Sequence, residues 1–171
     1  MLRRSWTRWL WLSVLSLSLT AHAEEWRNGT VIKVHDGDTA TLESAQGRLL
    51  RVRFYGVDAP ELATEDWPDQ AFGREAGAFM RKLLLHKRVT VRLTGERTYG
   101  REVGEIFVAE RSASQELLRG GFGWWNTKYA PNNSVLARLE KTARRAKRGL
   151  WRDGAAIPPW QFRQRHRSRG R

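Results

Sequence analysis

The chain contains no cysteine among its 171 residues, so it can form neither a disulfide bond nor a zinc site with thiolate ligands. Histidine is also scarce, and His35, His86 and His166 are too scattered along the sequence to indicate a metal site. The fold must therefore be held together by its hydrophobic core, which a chain of this length can make large enough.

Long apolar runs are missing as well. The apolar stretch Trp9–Leu19 is shorter than the roughly 20 residues that span a bilayer. It follows three arginines and precedes Ala21-His22-Ala23. This order predicts a cleavable signal peptide at residues 1–23, cut after Ala23, and a secreted or periplasmic protein. An uncleaved signal anchor is the alternative interpretation.

Acidic residues are far outnumbered by basic ones. The chain has 31 Lys and Arg against 18 Asp and Glu, a net charge of +13, and loss of three signal-peptide arginines lowers it to +10. Such an excess favours polyanionic partners, first nucleic acid and then anionic membranes or glycans. Residues 154–171 contain Pro158-Pro159 and alternating arginines, which predict a disordered tail that contacts phosphates without sequence preference. The folded domain is then residues 24–153.

The apolar pattern predicts a mainly β chain. Alternation of apolar and polar residues predicts five strands, at about 31–34, 39–43, 50–54, 89–93 and 103–109. Helical spacing and capping residues predict three helices, at about 72–85, from Ser112 to Gly121, and from Ser134 onward. Three strands, a helix and two more strands match the α+β, mainly β, five-stranded OB-type barrel, a fold that binds nucleic acid on one face.

Two acidic motifs flank the third predicted strand, Asp36-Gly37-Asp38-Thr39 and Asp58-Ala59-Pro60-Glu61. Asp-Gly alone is an ordinary turn signal, and that interpretation needs no ligand. Pairing of the second and third strands, however, could bring both motifs to one end of the barrel. Two aspartates with few other side-chain ligands suit Ca²⁺, which also accepts carbonyl, water and substrate oxygens. We therefore predict a weak Ca²⁺ site.

Three more charged side chains have the chemistry to act on a phosphodiester. Glu61 could orient and deprotonate a water molecule, although a lone loop glutamate is more often a solvated surface group. Arg53 interrupts a core-type strand, and Arg101 ends the motif Tyr99-Gly100-Arg101. A guanidinium fits phosphate with a planar, bidentate fork, but most arginines in so basic a chain are ordinary surface charges. Tyr99 and Tyr129 lie in predicted loops, where each could stack on a base.

Taken in order and spacing, the motifs resemble the staphylococcal nuclease (thermonuclease) family from about Gly29 to Trp151. The resemblance is carried by Asp36-Gly37-Asp38-Thr39, Val52-Arg53-Phe54, Val57-Asp58-Ala59-Pro60-Glu61, Tyr99-Gly100-Arg101 and Tyr129-Ala130-Pro131-Asn132-Asn133. It implies an OB-type barrel with three helices and Ca²⁺-dependent hydrolysis of DNA and RNA that leaves 3′-phosphates. Its implied residues are Asp38, Asp58 and the Ala59 carbonyl for one Ca²⁺, Arg53, Glu61 and Arg101 for catalysis, and Tyr99 and Tyr129 for substrate binding.

The sequence departs from that family at two positions. A family lysine before the Tyr-Gly-Arg motif is Thr98 here, and one of two pocket tyrosines is Thr127, so contacts to the terminal phosphate and base differ. The five charged side chains of the family's site are intact, which favours a nuclease. The alternatives are a non-catalytic nucleic-acid-binding barrel and a cationic protein that binds glycan or membrane through charge alone. We expect no obligate protein partner and no stable membrane insertion after signal cleavage.

Overall fold

The computed structural model describes residues 25–65 and 67–167. The predicted signal peptide lies outside these residues. Within the described residues no helix has the length and apolar character required to cross a membrane. The elements are β1 Glu25–Val34, β2 Thr39–Glu43, β3 Leu49–Phe54, β4 Val57–Asp58, α1 Gly73–Leu84, β5 Arg88–Thr98, β6 Arg101–Val108, β7 Arg111–Ser112, α2 Ala113–Gly120, β8 Trp124–Trp125, α3 Ser134–Arg145, a 3₁₀ turn Gly149–Arg152, and α4 Pro159–Arg167.

Five of the strands close into a barrel. Antiparallel pairs join β3 to β2, β2 to β1, β1 to β5 and β5 to β6, and a parallel pairing of β3 with β6 completes the ring. In that parallel pairing Arg53 lies opposite Val103. The predicted five-stranded OB-type barrel, mainly β with helices outside it, is confirmed.

The barrel interior is filled by the apolar set of each strand. In β3 the buried residues Val52 and Phe54 alternate with Arg51 and Arg53, which are exposed and half-buried. Such a period of two lets one strand serve the core and a functional surface at once. Buried side chains of α1 and α2 cover the barrel, among them Met80, Leu84, Leu117 and Leu118.

The structure has four α-helices in its described part, so the predicted number of three is wrong. The predicted bounds of the first two helices lie close to the observed ones. Helix α1 runs from Gly73 to Leu84, and α2 begins after Ser112, whose hydroxyl accepts a hydrogen bond from the Gln115 backbone N–H. The additional helix is α4, in the region expected to be disordered.

The expectation of disorder fails over Pro159–Arg167 for a physical reason. Pro159 occupies the first helical position, where its fixed φ and missing N–H are no disadvantage. Phe162 then buries its ring, which is 7% exposed, and its ring centroid lies 4.2 Å from that of His166, one turn further on. Burial of Pro159 and Phe162 thus accompanies helical order in a segment that is rich in arginine.

Gly37 determines how closely the first acidic turn packs against the barrel end. A Cβ atom at this position would lie 2.5 Å from the Ala59 Cβ and 2.9 Å from the Ala76 Cβ. Both distances are far below normal carbon contacts, so only glycine allows this approach. The turn that carries Asp36 and Asp38 is thereby held against the second acidic motif and against α1.

Candidate active site

Strand pairing brings the two acidic motifs together. Asp38 immediately precedes β2, where Thr39 pairs with Arg53 of β3, and the Phe54 N–H donates to the Asp38 carbonyl at 2.8 Å. Asp58 ends β4, a few residues beyond β3 in the chain. The register of β2 and β3 therefore places both aspartates at the same end of the barrel as Arg53.

Arg53 forms an ion pair with each of the two aspartates. Its Nη1 lies 2.7 Å from Asp38 Oδ1, and its Nη2 lies 2.9 Å from Asp58 Oδ1. Asp38 and Asp58 are only 4% and 1% exposed. Burial alone would lower the pKa of Arg53, but these two carboxylates outweigh it and hold the pKa above its ordinary value. The Arg53 guanidinium thus gives each of the two buried carboxylates a positive partner.

The Asp38 carboxylate is further fixed by its neighbours. Its Oδ2 accepts a hydrogen bond from the Ala59 backbone N–H at 3.0 Å, and its Oδ1 accepts one from the Thr39 hydroxyl at 3.1 Å. A side chain of the first acidic motif is therefore bonded to the backbone of the second. This contact fixes the relative positions of the two motifs.

Asp36 is a third carboxyl group in the site, and no role was predicted for it beyond its place in the first acidic motif. Its Oδ1 accepts a hydrogen bond from the Asp38 backbone at 2.9 Å. Burial, followed by the charge of Asp38, raises the pKa of Asp36 to about 7. The site therefore limits how many carboxylates are ionised together at neutral pH.

Glu61 lies in the same cleft and is partly exposed. Its backbone N–H donates to the Gln70 side chain at 3.1 Å, which holds the Glu61 loop in place. Burial raises the pKa of the Glu61 carboxyl, and an ion pair with Arg163 opposes that rise. A carboxylate with a raised pKa suits a group that takes a proton from water near neutral pH.

Arg101 and the two predicted tyrosines, Tyr99 and Tyr129, also line the cleft. Arg101 Nη1 donates to the Thr39 hydroxyl at 3.2 Å, and the Arg101 guanidinium carbon lies 6.0 Å from the centroid of the Tyr99 ring. Burial, followed by the charge of Arg53, lowers the pKa of Arg101, which nonetheless stays cationic. Tyr99 and Tyr129 are 86% and 46% exposed, so both rings are accessible to a base.

A cleft of about 790 Å³ brings these side chains together. Its lining residues are Asp36, Asp38, Arg53, Ala59, Pro60, Glu61, Trp67, Thr98, Tyr99, Arg101, Asn126, Tyr129, Trp160, Arg163, Gln164 and Arg167. Asp58 adjoins it through its ion pairs with Arg53 and Arg163. All eight predicted positions thus meet in one place, and the roles assigned to them stay predictions.

Asp38 and Asp58 offer the oxygen ligands that a hard cation prefers. Asp38 and Asp58 already share one positive group, the Arg53 guanidinium, at 2.7 and 2.9 Å. Within residues 25–65 and 67–167 no cluster of three or more His, Cys, Asp or Glu side chains is arranged to hold a metal. A pair of carboxylates supplemented by carbonyl and water oxygens fits Ca²⁺ at low affinity.

Arg163 also lies in the site, where sequence reasoning did not predict it. Arg163 Nη2 lies 2.8 Å from Asp58 Oδ2, and its Nη1 also contacts Glu61. The alternating arginines of the C-terminal segment look alike in the sequence, whereas in the structure Arg163 and Arg167 both line the cleft and Arg163 forms the ion pairs with Asp58 and Glu61. A Pro-Pro step followed by an aromatic residue was the one signal available.

Comparison with known proteins places this geometry in a family. Residues 51–153 match the family model described as staphylococcal nuclease homologue. An uncharacterized endonuclease of Escherichia coli O157:H7 is 34% identical over 139 residues, which cover 81% of this chain and 86% of that protein. A probable staphylococcal-like nuclease of Oryza sativa subsp. japonica is 31% identical over 126 residues, 74% of this chain and 36% of the plant protein.

The chain belongs to the staphylococcal nuclease family. Membership makes it a phosphodiester hydrolase. The match to the family model begins at residue 51, after the first acidic motif, and ends at residue 153, before α4. Asp38 and Arg163 lie outside the matched residues but contact them. Asp38 contacts Arg53 and Ala59, and Arg163 contacts Asp58 and Glu61.

Replacing Arg53 by alanine should destabilise the protein strongly. Removal of the guanidinium leaves Asp38 without its ion pair at a buried position, a change that costs about 3 kcal/mol or more in such cases. Urea denaturation measures the loss. The control is Arg74→Ala, whose side chain is 81% exposed beside Asp69, and it should change the free energy of unfolding by less than about 0.5 kcal/mol. Equal losses in the two variants would contradict this account of the site.

Proposed function

We propose that this protein is an exported, Ca²⁺-dependent nuclease that hydrolyses DNA and RNA with little sequence specificity and leaves 3′-phosphates. The observation that carries the proposal is the convergence of two paired aspartates, a glutamate and two arginines on one open cleft in a chain of this family. Little dependence on the nucleotide sequence is expected, because the cleft offers charged groups to the nucleic-acid backbone and exposed aromatic rings that can stack on any base.

In the proposed reaction Glu61 accepts a proton from a water molecule as the water oxygen attacks phosphorus. The bond from phosphorus to the 5′-oxygen breaks, and this oxygen takes a proton from solvent, so that the phosphate stays on the 3′-oxygen. Arg53 and Arg101 donate to the phosphoryl oxygens as negative charge builds on them. Arg101, whose guanidinium carbon lies 6.0 Å from the centroid of the Tyr99 ring, would also stabilise the departing oxygen.

Asp38 and Asp58, with the Ala59 carbonyl, are the residues that would hold Ca²⁺. When bound, the ion supplies charge neutralisation and polarisation of a phosphate oxygen. The role of the protein is to hold both carboxylates in place, which the Arg53 ion pairs and the Ala59 N–H support. Few charged ligands at a rigid site give affinities in the micromolar-to-millimolar range.

A divalent-ion panel tests the proposed reaction directly. Plasmid DNA and a structureless RNA should both be degraded with Ca²⁺ and stay intact with a chelator. End-group analysis should find 3′-phosphate and 5′-hydroxyl termini on the fragments. Tight binding of DNA without cleavage in any metal would favour the non-catalytic barrel, and degradation in excess chelator would contradict the metal requirement.

Glu61→Gln and Arg101→Ala should each lower the single-turnover cleavage rate by about 100-fold or more, because each removes a group that acts in the transition state. Their urea unfolding curves should stay close to that of the wild type. Glu96→Gln and Arg145→Ala are matched controls, since both side chains are exposed, one on β5 and the other on α3, and neither lines the cleft. Near-normal rates for Glu61→Gln or Arg101→Ala would refute the role proposed for that residue.

Export is proposed from the cationic start, the short apolar stretch and Ala21-His22-Ala23. A protein carrying this segment should be recovered outside the cytoplasm with Glu24 as its first residue, since signal peptidases cut after small residues. N-terminal sequencing of the recovered protein measures this. An intact Met1, or membrane-bound protein that keeps the segment, would indicate the signal anchor instead.

A further inference from the structure

Helix α4 lies across the catalytic carboxylates. Arg163 Nη2 donates to Asp58 Oδ2 at 2.8 Å, and its Nη1 donates to Asp58 Oδ1 at 3.3 Å and to Glu61 Oε1. Asp58 is 1% exposed, so Arg163 reaches a group at the base of the cleft. The guanidinium lies between the predicted metal ligand and the predicted water-activating residue.

The position of α4 does not depend on Arg163 alone. Phe162 and Pro159 are buried, and the Ile157 carbonyl accepts a hydrogen bond from the Gln70 side chain at 2.7 Å. The same Gln70 side chain, itself 4% exposed, accepts the hydrogen bond from the Glu61 backbone. The segment leading into α4 is thus fastened to the loop that carries Glu61.

The contacts of Arg163 use the oxygen atoms that catalysis requires. Both oxygens of Asp58 accept hydrogen bonds from guanidinium groups, Oδ1 from Arg53 and Arg163, and Oδ2 from Arg163. One oxygen of Glu61 is likewise occupied. A cation that binds Asp58 needs the same lone pairs, and a Glu61 oxygen paired with a cationic donor is a poor acceptor for a water proton.

We propose that α4 is an inhibitory helix, in which Arg163 occupies Asp58 and Glu61 until a divalent cation displaces it. This inference rests on the proposed Ca²⁺ dependence of the site. Binding of the ion and docking of Arg163 exclude each other, so the helix weakens the apparent affinity for Ca²⁺ and the ion loosens the helix. The two effects are equal in free energy, because linkage between binding events is reciprocal.

Calorimetric titration of the full chain with Ca²⁺, without nucleic acid, tests the first effect. Arg163→Ala should lower the Kd for Ca²⁺ by about 5- to 100-fold, the usual range of such coupling. Phe162→Ala keeps the charge of Arg163 but removes the buried anchor of α4, and it should lower the Kd in the same direction. Arg145→Ala, which removes an exposed arginine on α3, should leave the Kd unchanged.

Hydrogen exchange of the wild-type protein tests the reciprocal effect. Saturation with Ca²⁺ should speed exchange of the amides of α4 while those of α1, which packs on the barrel, keep their rates. Equal Kd values for the wild type, Arg163→Ala and Phe162→Ala would overturn the proposal. A lower Kd for Arg163→Ala alone, with α4 exchange unaffected by Ca²⁺, would also overturn it, since charge removal would then explain the change.

The two proposals fail in different ways. Absence of Ca²⁺ binding by the wild type and by every variant would overturn the proposed Ca²⁺ dependence and the inhibitory helix together. Normal Ca²⁺ binding with identical affinities would overturn the inhibitory helix and leave the Ca²⁺-dependent nuclease standing.

Discussion

Two buried carboxylates at one end of the barrel share a single arginine. Asp38 and Asp58 are 4% and 1% exposed, and each accepts a hydrogen bond from a different nitrogen of Arg53. Isolated ionised groups at such positions would be costly, whereas a planar fork between them provides both charge and directed donors. The β2–β3 register and the close packing at Gly37 are the local features that make this arrangement geometrically possible.

The charge of the molecule is organised on two length scales. Over the whole chain the excess is strongly positive, which draws nucleic acid toward the protein. Within the cleft, Asp36, Asp38, Asp58 and Glu61 form an acidic centre that repels a phosphate unless cations surround it. Arg53 and Arg101 belong to the barrel and remain there, while Arg163 comes from a separate helix. The raised pKa of Asp36, caused by burial and by Asp38, shows how crowded this acidic centre is.

Most of the barrel could be predicted from the sequence because its signals are local. Alternation in β3, the cap at Ser112 and the apolar face of α1 each act over a few residues, and the structure agrees with them closely. The residues that meet in the cleft could be picked out because short motifs carry them. Helix α4 was not, since its order depends on the burial of one ring and on a contact between residues 58 and 163, far apart in the chain. Composition favoured disorder there, and tertiary packing outweighed it.

The parallel pairing of β3 with β6 has a consequence for how activity arises during folding. Pairing among the first three strands aligns Arg53 with Asp38, and Asp58 follows in β4, which pairs with β8. Arg101 joins them only when β6 docks beside β3, the long-range step that closes the ring. A chain with an open barrel therefore lacks one of the two guanidinium groups that the barrel contributes to the cleft, and the cleft is complete only when the last pair of strands has formed.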